Sequence, residues 1–67
     1  MPSKVIRFYH YDEEQKILTI GFVSGSKYQY MDIPAEVYAR FRGAYSKGHF
    51  FSQNIRDIYK YNKAPDE

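Results

Sequence analysis

A chain of 67 residues without a single cysteine must hold itself together with apolar side chains alone. A domain of this size buries only about 60% of the surface its unfolded chain exposes, so the core is thin. Eight tyrosines and five phenylalanines, with no tryptophan, supply the bulk. Each aromatic ring buries about 150–250 Å², so a few of them suffice for a small core. The mean hydropathy of −0.69 is low. Disordered chains, however, are poor in aromatic and β-branched residues, and this one is rich in both. The composition therefore predicts one folded domain with a wet surface.

The order of patterns predicts an α+β fold. Val5 to Tyr11 is rich in β-branched and aromatic residues and reads as a strand. Its apolar residues fall on both faces, which predicts a bulge or a sheet covered on both sides. Asp12 to Gln15 is a polar turn. From Lys16 to Val23, Leu18, Ile20 and Phe22 alternate with Thr19 and Gly21, the period of a half-buried strand. Ser24-Gly25-Ser26 is a tight turn in which Gly25 can take a positive φ. Lys27 to Ile33 is a third strand.

Pro34 suits the first position of a helix. Glu36 complements its dipole. Val37, Phe41 and Tyr45, joined by Ala44, form one apolar stripe, and Gly43 frays or ends the helix. Ser46 is a good N-cap for a second helix with a stripe at Phe51, Ile55 and Ile58. The expected architecture is a three-stranded antiparallel sheet followed by two short helices packed on one face. Phe22, Phe41 and Ile55 are its expected core. Tyr59-Lys60-Tyr61 leaves the second helix as an extended segment. Residues 3–61 form the single domain, and 62–67 are expected to be a disordered tail.

Tyr28 and Tyr30 have two readings. If Val23, Ser24 and Gly25 form a three-residue loop, Ile20 faces Tyr28, Leu18 faces Tyr30, and both rings join the core. A two-residue turn shifts the register by one and turns both rings outward, where they would be stacking platforms for bases.

Several chemistries lack their residues. A glycine-rich phosphate loop is missing. A metal site would need His10 and His49, far apart and without ligand spacing. A serine nucleophile needs a base and an orienting group, and Ser46 is better explained as a cap. The reading is a non-catalytic binding module with no metal and no cofactor. No apolar run approaches the roughly 20 residues of a membrane span, and the N-terminus lacks the apolar stretch of a signal peptide. A cytoplasmic setting without membrane contact is expected.

The net charge of +2 is unevenly spread. Lys4, Arg7, Lys16 and Lys27 are nearly cancelled by Asp12, Glu13 and Glu14. Beyond Asp32, Arg40, Arg42, Lys47, Arg56, Lys60 and Lys63 outnumber Glu36, Asp57, Asp66 and Glu67. Within this basic half, Ser46-Lys47-Gly48-His49 reads either as a capped helix start or as an anion site. In the second reading free N–H groups and positive charge converge. If RNA is the ligand, Lys47, Gly48, His49, Arg56 and Lys60 are its expected contacts, with Tyr59 or Tyr61 stacking on a base. Single strands or loops are the expected target, because their bases are free. The other class of partner is a protein that engages a sheet edge or an aromatic patch.

Taken in order, Tyr11-Asp12, Leu18-Ile20-Phe22, Tyr28-Gln29-Tyr30, Ile33-Pro34 with Val37-Tyr38, Ser46-Lys47-Gly48 with Phe50-Phe51, Asn54-Ile55-Arg56 and Tyr59-Lys60-Tyr61 resemble the KTSC domain. This is the lysyl-tRNA synthetase C-terminal-like domain. The resemblance runs from about Val5 to Tyr61. Of the family's serine-rich start only Ser3 remains, and His10 stands where a small residue is common. Attachment of such domains to lysyl-tRNA synthetases implies RNA binding.

Overall fold

The computed structural model describes residues 6–64. Four antiparallel strands and two helices follow one another as β1 (Ile6–Asp12), β2 (Ile17–Phe22), β3 (Lys27–Tyr30), α1 (Ala35–Gly43), α2 (Lys47–Asn54) and β4 (Tyr61–Ala64). The strands lie side by side in the order β1-β2-β3-β4. The α+β class stands, and the strand count is corrected from three to four.

The added strand comes from the expected tail. Tyr61 to Ala64 pairs antiparallel with β3, Tyr30 opposite Tyr61 and Lys27 opposite Ala64. Residues 62–64 are thus part of the sheet, and Ala64 is buried. Three polar or charged residues in Asn62-Lys63-Ala64-Pro65-Asp66 hid this, because an edge strand needs few apolar side chains when β3 supplies the hydrogen bonds. Residues 65–67 and Val5 lie outside the described residues.

Two turns fix the register. At the first, Asp12 accepts the backbone N–H of Glu14 and of Gln15 on Oδ1, at 3.0 and 3.1 Å. At the second, the Phe22 N–H donates to the Ser26 carbonyl at 2.8 Å and the Gly25 N–H to the Phe22 carbonyl at 3.0 Å. Gly25 sits at φ +101°, which glycine adopts without a Cβ clash. The loop is therefore the three-residue one, with Leu18 opposite Tyr30 and Ile20 opposite Tyr28. Both tyrosines face the core, and Tyr30 is buried. The register shift between Ile6 and Phe8 is the bulge expected in β1.

Both helices cover one face. Leu18, Ile20, Tyr30, Ile33, Phe41, Phe51 and Ile55 form the buried cluster. Phe41 and Ile55 are core as expected, whereas Phe22 is only half-buried at its margin. Phe22 touches Tyr28 and Phe51, each at 5.6 Å between ring centroids.

Three helical details differ from expectation. Pro34 is the N-cap of α1 and not its first residue, with φ −63° and ψ 147°. Tyr45 is 83% exposed and Ile58 65% exposed, although both continue an apolar stripe. The stripes fail because the helices stop at Gly43 and Asn54. Past the last turn the 3.6-residue period no longer says where a side chain points. The third strand likewise ends at Tyr30, and Ile33 is buried from the connection that follows it.

Candidate functional site

The expected contact residues fall at the two ends of α2. At its start, Ser46 is the N-cap, and its Oγ accepts the backbone N–H of His49 at 3.3 Å. Gly48 is buried. One free N–H is thus engaged by the cap, and the Gly48 backbone is out of reach. Lys47 and His49 keep their side chains at the surface. The helix is eight residues long, so its two ends stand about 12 Å apart.

At the other end the chain makes a compact reversal. The N–H groups of Ile55 and Arg56 both donate to the Phe51 carbonyl, at 3.0 and 2.9 Å. Those of Ile58 and Tyr59 both donate to the Ile55 carbonyl at 3.1 Å. This turn buries Ile55 completely, presses Tyr59 against the core and pushes Ile58 outward. The chain then runs back along β3, beginning with the Met31 N–H on the Lys60 carbonyl at 2.8 Å.

The reversal creates an open groove. Met31, Arg56, Asp57, Ile58, Tyr59, Lys60, Tyr61 and Asn62 line it. Of the seven expected contact residues, the groove gathers Arg56, Tyr59, Lys60 and Tyr61 and leaves Lys47, Gly48 and His49 outside. Met31, Asp57, Ile58 and Asn62 are lining residues that the sequence reading does not single out as contacts. In the sequence Ile58 continues a helical stripe, Asp57 counts only in the charge balance, Asn62 falls in the tail and Met31 inside a strand, so no local pattern marks them as neighbours.

Charge and ring geometry give the groove its chemistry. The lining holds two cations, Arg56 and Lys60, and a single carboxylate, Asp57, which lies 3.9 Å from the Arg56 guanidinium. Tyr61 is 53% exposed. Its ring is held from behind by the edge of Tyr28 (5.4 Å, 87°) and by tilted Tyr30 (5.3 Å, 37°). Burial, with the neighbouring phenols of Tyr61 and Tyr28, pushes the Tyr30 hydroxyl up to about 12. Tyr30 is therefore a neutral support at any physiological pH.

A second hollow lies at the β1–β2 turn, lined by His10, Tyr11, Asp12, Glu13, Glu14 and Tyr38. Its three carboxylates make it acidic. Among the described residues, no group of three His, Cys, Asp or Glu is placed to hold a metal ion. No helix among them is long and apolar enough to cross a membrane.

The sequence pattern of the KTSC domain matches residues 2–61. The chain belongs to the KTSC family. It is 36% identical over 61 residues to the lysine–tRNA ligase of Nostoc punctiforme, covering 91% of this chain and 11% of that enzyme. The chain thus spans about a tenth of the length of such a ligase. It is 40% identical over 62 residues to an uncharacterised protein of Stutzerimonas stutzeri, covering 91% of this chain and 87% of that one. The crystal structure of a KTSC domain protein from Yersinia pestis superposes with a TM-score of 0.87 at 30% identity, covering 97% and 94% of the two chains. In this KTSC domain the two tyrosines of the central Tyr28-Gln29-Tyr30 support the groove from within, and the ring they support is Tyr61.

Proposed function

We propose that this KTSC domain is a non-catalytic module that binds single-stranded or looped RNA in the groove beside β4. The observation that carries the reading is the half-exposed Tyr61 ring, braced from behind, in one groove with Arg56 and Lys60. A base stacks on the open face of such a ring, and base–aromatic stacking tolerates any sequence. Arg56 and Lys60 follow the phosphates on either side. Lys47 and His49, about 12 Å away along α2, catch a longer strand. The lysine–tRNA ligases among the relatives act on tRNA by name, which agrees with an RNA ligand and a cytoplasmic setting.

The test is fluorescence anisotropy with short single-stranded RNAs at low and moderate salt. With two or three phosphate contacts, log K should fall against log salt with a slope of about −1.5 to −2. An Arg56→Glu/Lys60→Glu variant should stay folded and bind at least about tenfold more weakly. No salt-sensitive binding by the parent would sink the reading.

A protein partner is the second reading. It is favoured by Ile58, 65% exposed in the same groove, and by the free edge of β4 beside it. An extended peptide could add a strand there. Ile58→Ser, which removes the apolar contact and adds no charge to the groove, would then abolish binding to the partner, whereas it should change RNA affinity little.

A further inference from the structure

The face of the sheet turned away from the helices has an order of its own. Residues paired across antiparallel strands share a face. The registers therefore build one row of His10, Thr19, Gln29 and Asn62 across all four strands. The neighbouring row on that face is Phe8, Gly21, Lys27 and Ala64. No acidic residue occurs in either row. The first row offers an imidazole, a hydroxyl and two amides, groups that both donate and accept hydrogen bonds. In the second row Phe8 lies flat over Gly21, because a Cβ at Gly21 would run into the Phe8 ring. The ring is still 43% exposed. Arg7 is exposed next to it in the bulge.

The two faces meet at one residue. Asn62 ends the polar row on β4 and also lines the groove.

We infer that the groove continues over the β4 edge at Asn62 onto the face of the sheet turned away from the helices, forming one track for single-stranded RNA, with Phe8 as a second stacking ring. The inference rests on the RNA reading of the groove. Asn62 and Phe8 are separated by about 14 Å across the strands and about 7 Å along them. A strand leaving Tyr61 crosses that diagonal toward Phe8, and the acidic β1–β2 turn lies off it, at the other end of β1 beyond His10. The amides of Gln29 and Asn62 match base edges, as such amides pair with adenine. Arg7 supplies positive charge next to Phe8.

The experiment compares the full chain with Phe8→Leu, Gln29→Ala and Arg56→Glu/Lys60→Glu. Anisotropy titrations use U-rich and mixed single-stranded RNAs, long enough to span both rings. Phe8→Leu keeps an apolar cover over Gly21 but removes the π face. It should weaken binding at least about fivefold, with the melting curve unchanged. Gln29→Ala should weaken the mixed RNA more than the U-rich one. Amide resonances of Thr19 and Gln29 should shift when RNA is added to the parent, a readout that needs no variant.

Loss of binding in the groove variant alone, with Phe8→Leu at parental affinity and Thr19 and Gln29 unshifted, would overturn the track and leave the groove standing. No RNA binding by the parent would remove both. Sedimentation of the free chain as a dimer that Phe8→Leu converts to monomer would assign the face to a second copy and also overturn the track.

Discussion

The Tyr11 hydroxyl donates to the Ile33 carbonyl at 2.6 Å, tying β1 to the connection between β3 and α1. Ile33 is held from its other side as well, its N–H donating to the Lys16 carbonyl at 2.9 Å. The same tyrosine ring stacks on Tyr38 of α1 at 4.4 Å and 13°. Burial, aided by Glu13 and Asp12, raises the Tyr11 pKa, so the phenol stays protonated and able to donate.

Tyr11→Phe keeps the stack and removes only the donor. It leaves the Ile33 carbonyl without that bond, which should cost about 1–2 kcal/mol. Urea titration should show a lower midpoint with an unchanged slope. An unchanged midpoint would mean that water replaces the bond at no loss.

Stability should fall at high pH through Tyr30. Its hydroxyl titrates at about 12 in the folded chain and near 10 when unfolded. Between these values the folded state holds more protons than the unfolded state, so stability decreases as pH rises. The contribution is complete below about pH 10 and is lost through pH 12, about 2–3 kcal/mol in all. Tyr30→Phe should flatten this part of the profile. A parental melting temperature constant between pH 9 and about 11.5 would contradict the assignment.

Stripe residues should divide into two groups. Phe41→Ala opens a cavity at a fully buried ring and should cost about 3–5 kcal/mol, a large share of the reserve of so small a domain. Tyr45→Ala and Ile58→Ala act at exposed positions and should stay within about 0.5 kcal/mol. Thermal melts of the three variants check this. Equal losses would restore the continuous stripes that the periodicity suggests.

That division shows what the pattern could carry. Leu18, Ile20 and Phe22 alternate strictly, and their strand is where the alternation puts it. Ser46 announced its helix by its chemistry, and its Oγ caps that helix. Ile58 was misleading because a period has meaning only inside an element, and the turn at Ile55 ends α2 first. The register of Tyr28 and Tyr30 stayed open because loops of two and three residues use the same Ser-Gly chemistry. Only the Phe22–Ser26 bond decides between them. For the groove, Arg56, Tyr59, Lys60 and Tyr61 were legible as a basic, aromatic run. Met31 joins them through β-pairing across about 30 residues of chain, and no local signal carries that.

The fourth strand gives the sharpest contrast with a free tail. A chain ending at Lys60 loses the four cross-strand pairs from Lys27–Ala64 to Tyr30–Tyr61 and the ring that covers Tyr28 and Tyr30. At about 0.2–1 kcal/mol for each pair, the loss should be about 1–4 kcal/mol. It also uncovers β3 as a new sheet edge carrying Tyr28 and Tyr30, and open edges of this kind pair with other chains. The truncated chain should therefore melt earlier and associate as concentration rises. A control ending at Ala64 keeps the strand and should match the parent in both respects. Melting curves and sedimentation of the two truncations decide the point. If the chain ending at Lys60 melts and sediments like the control, β4 adds nothing to the sheet and residues 61–64 behave as a tail.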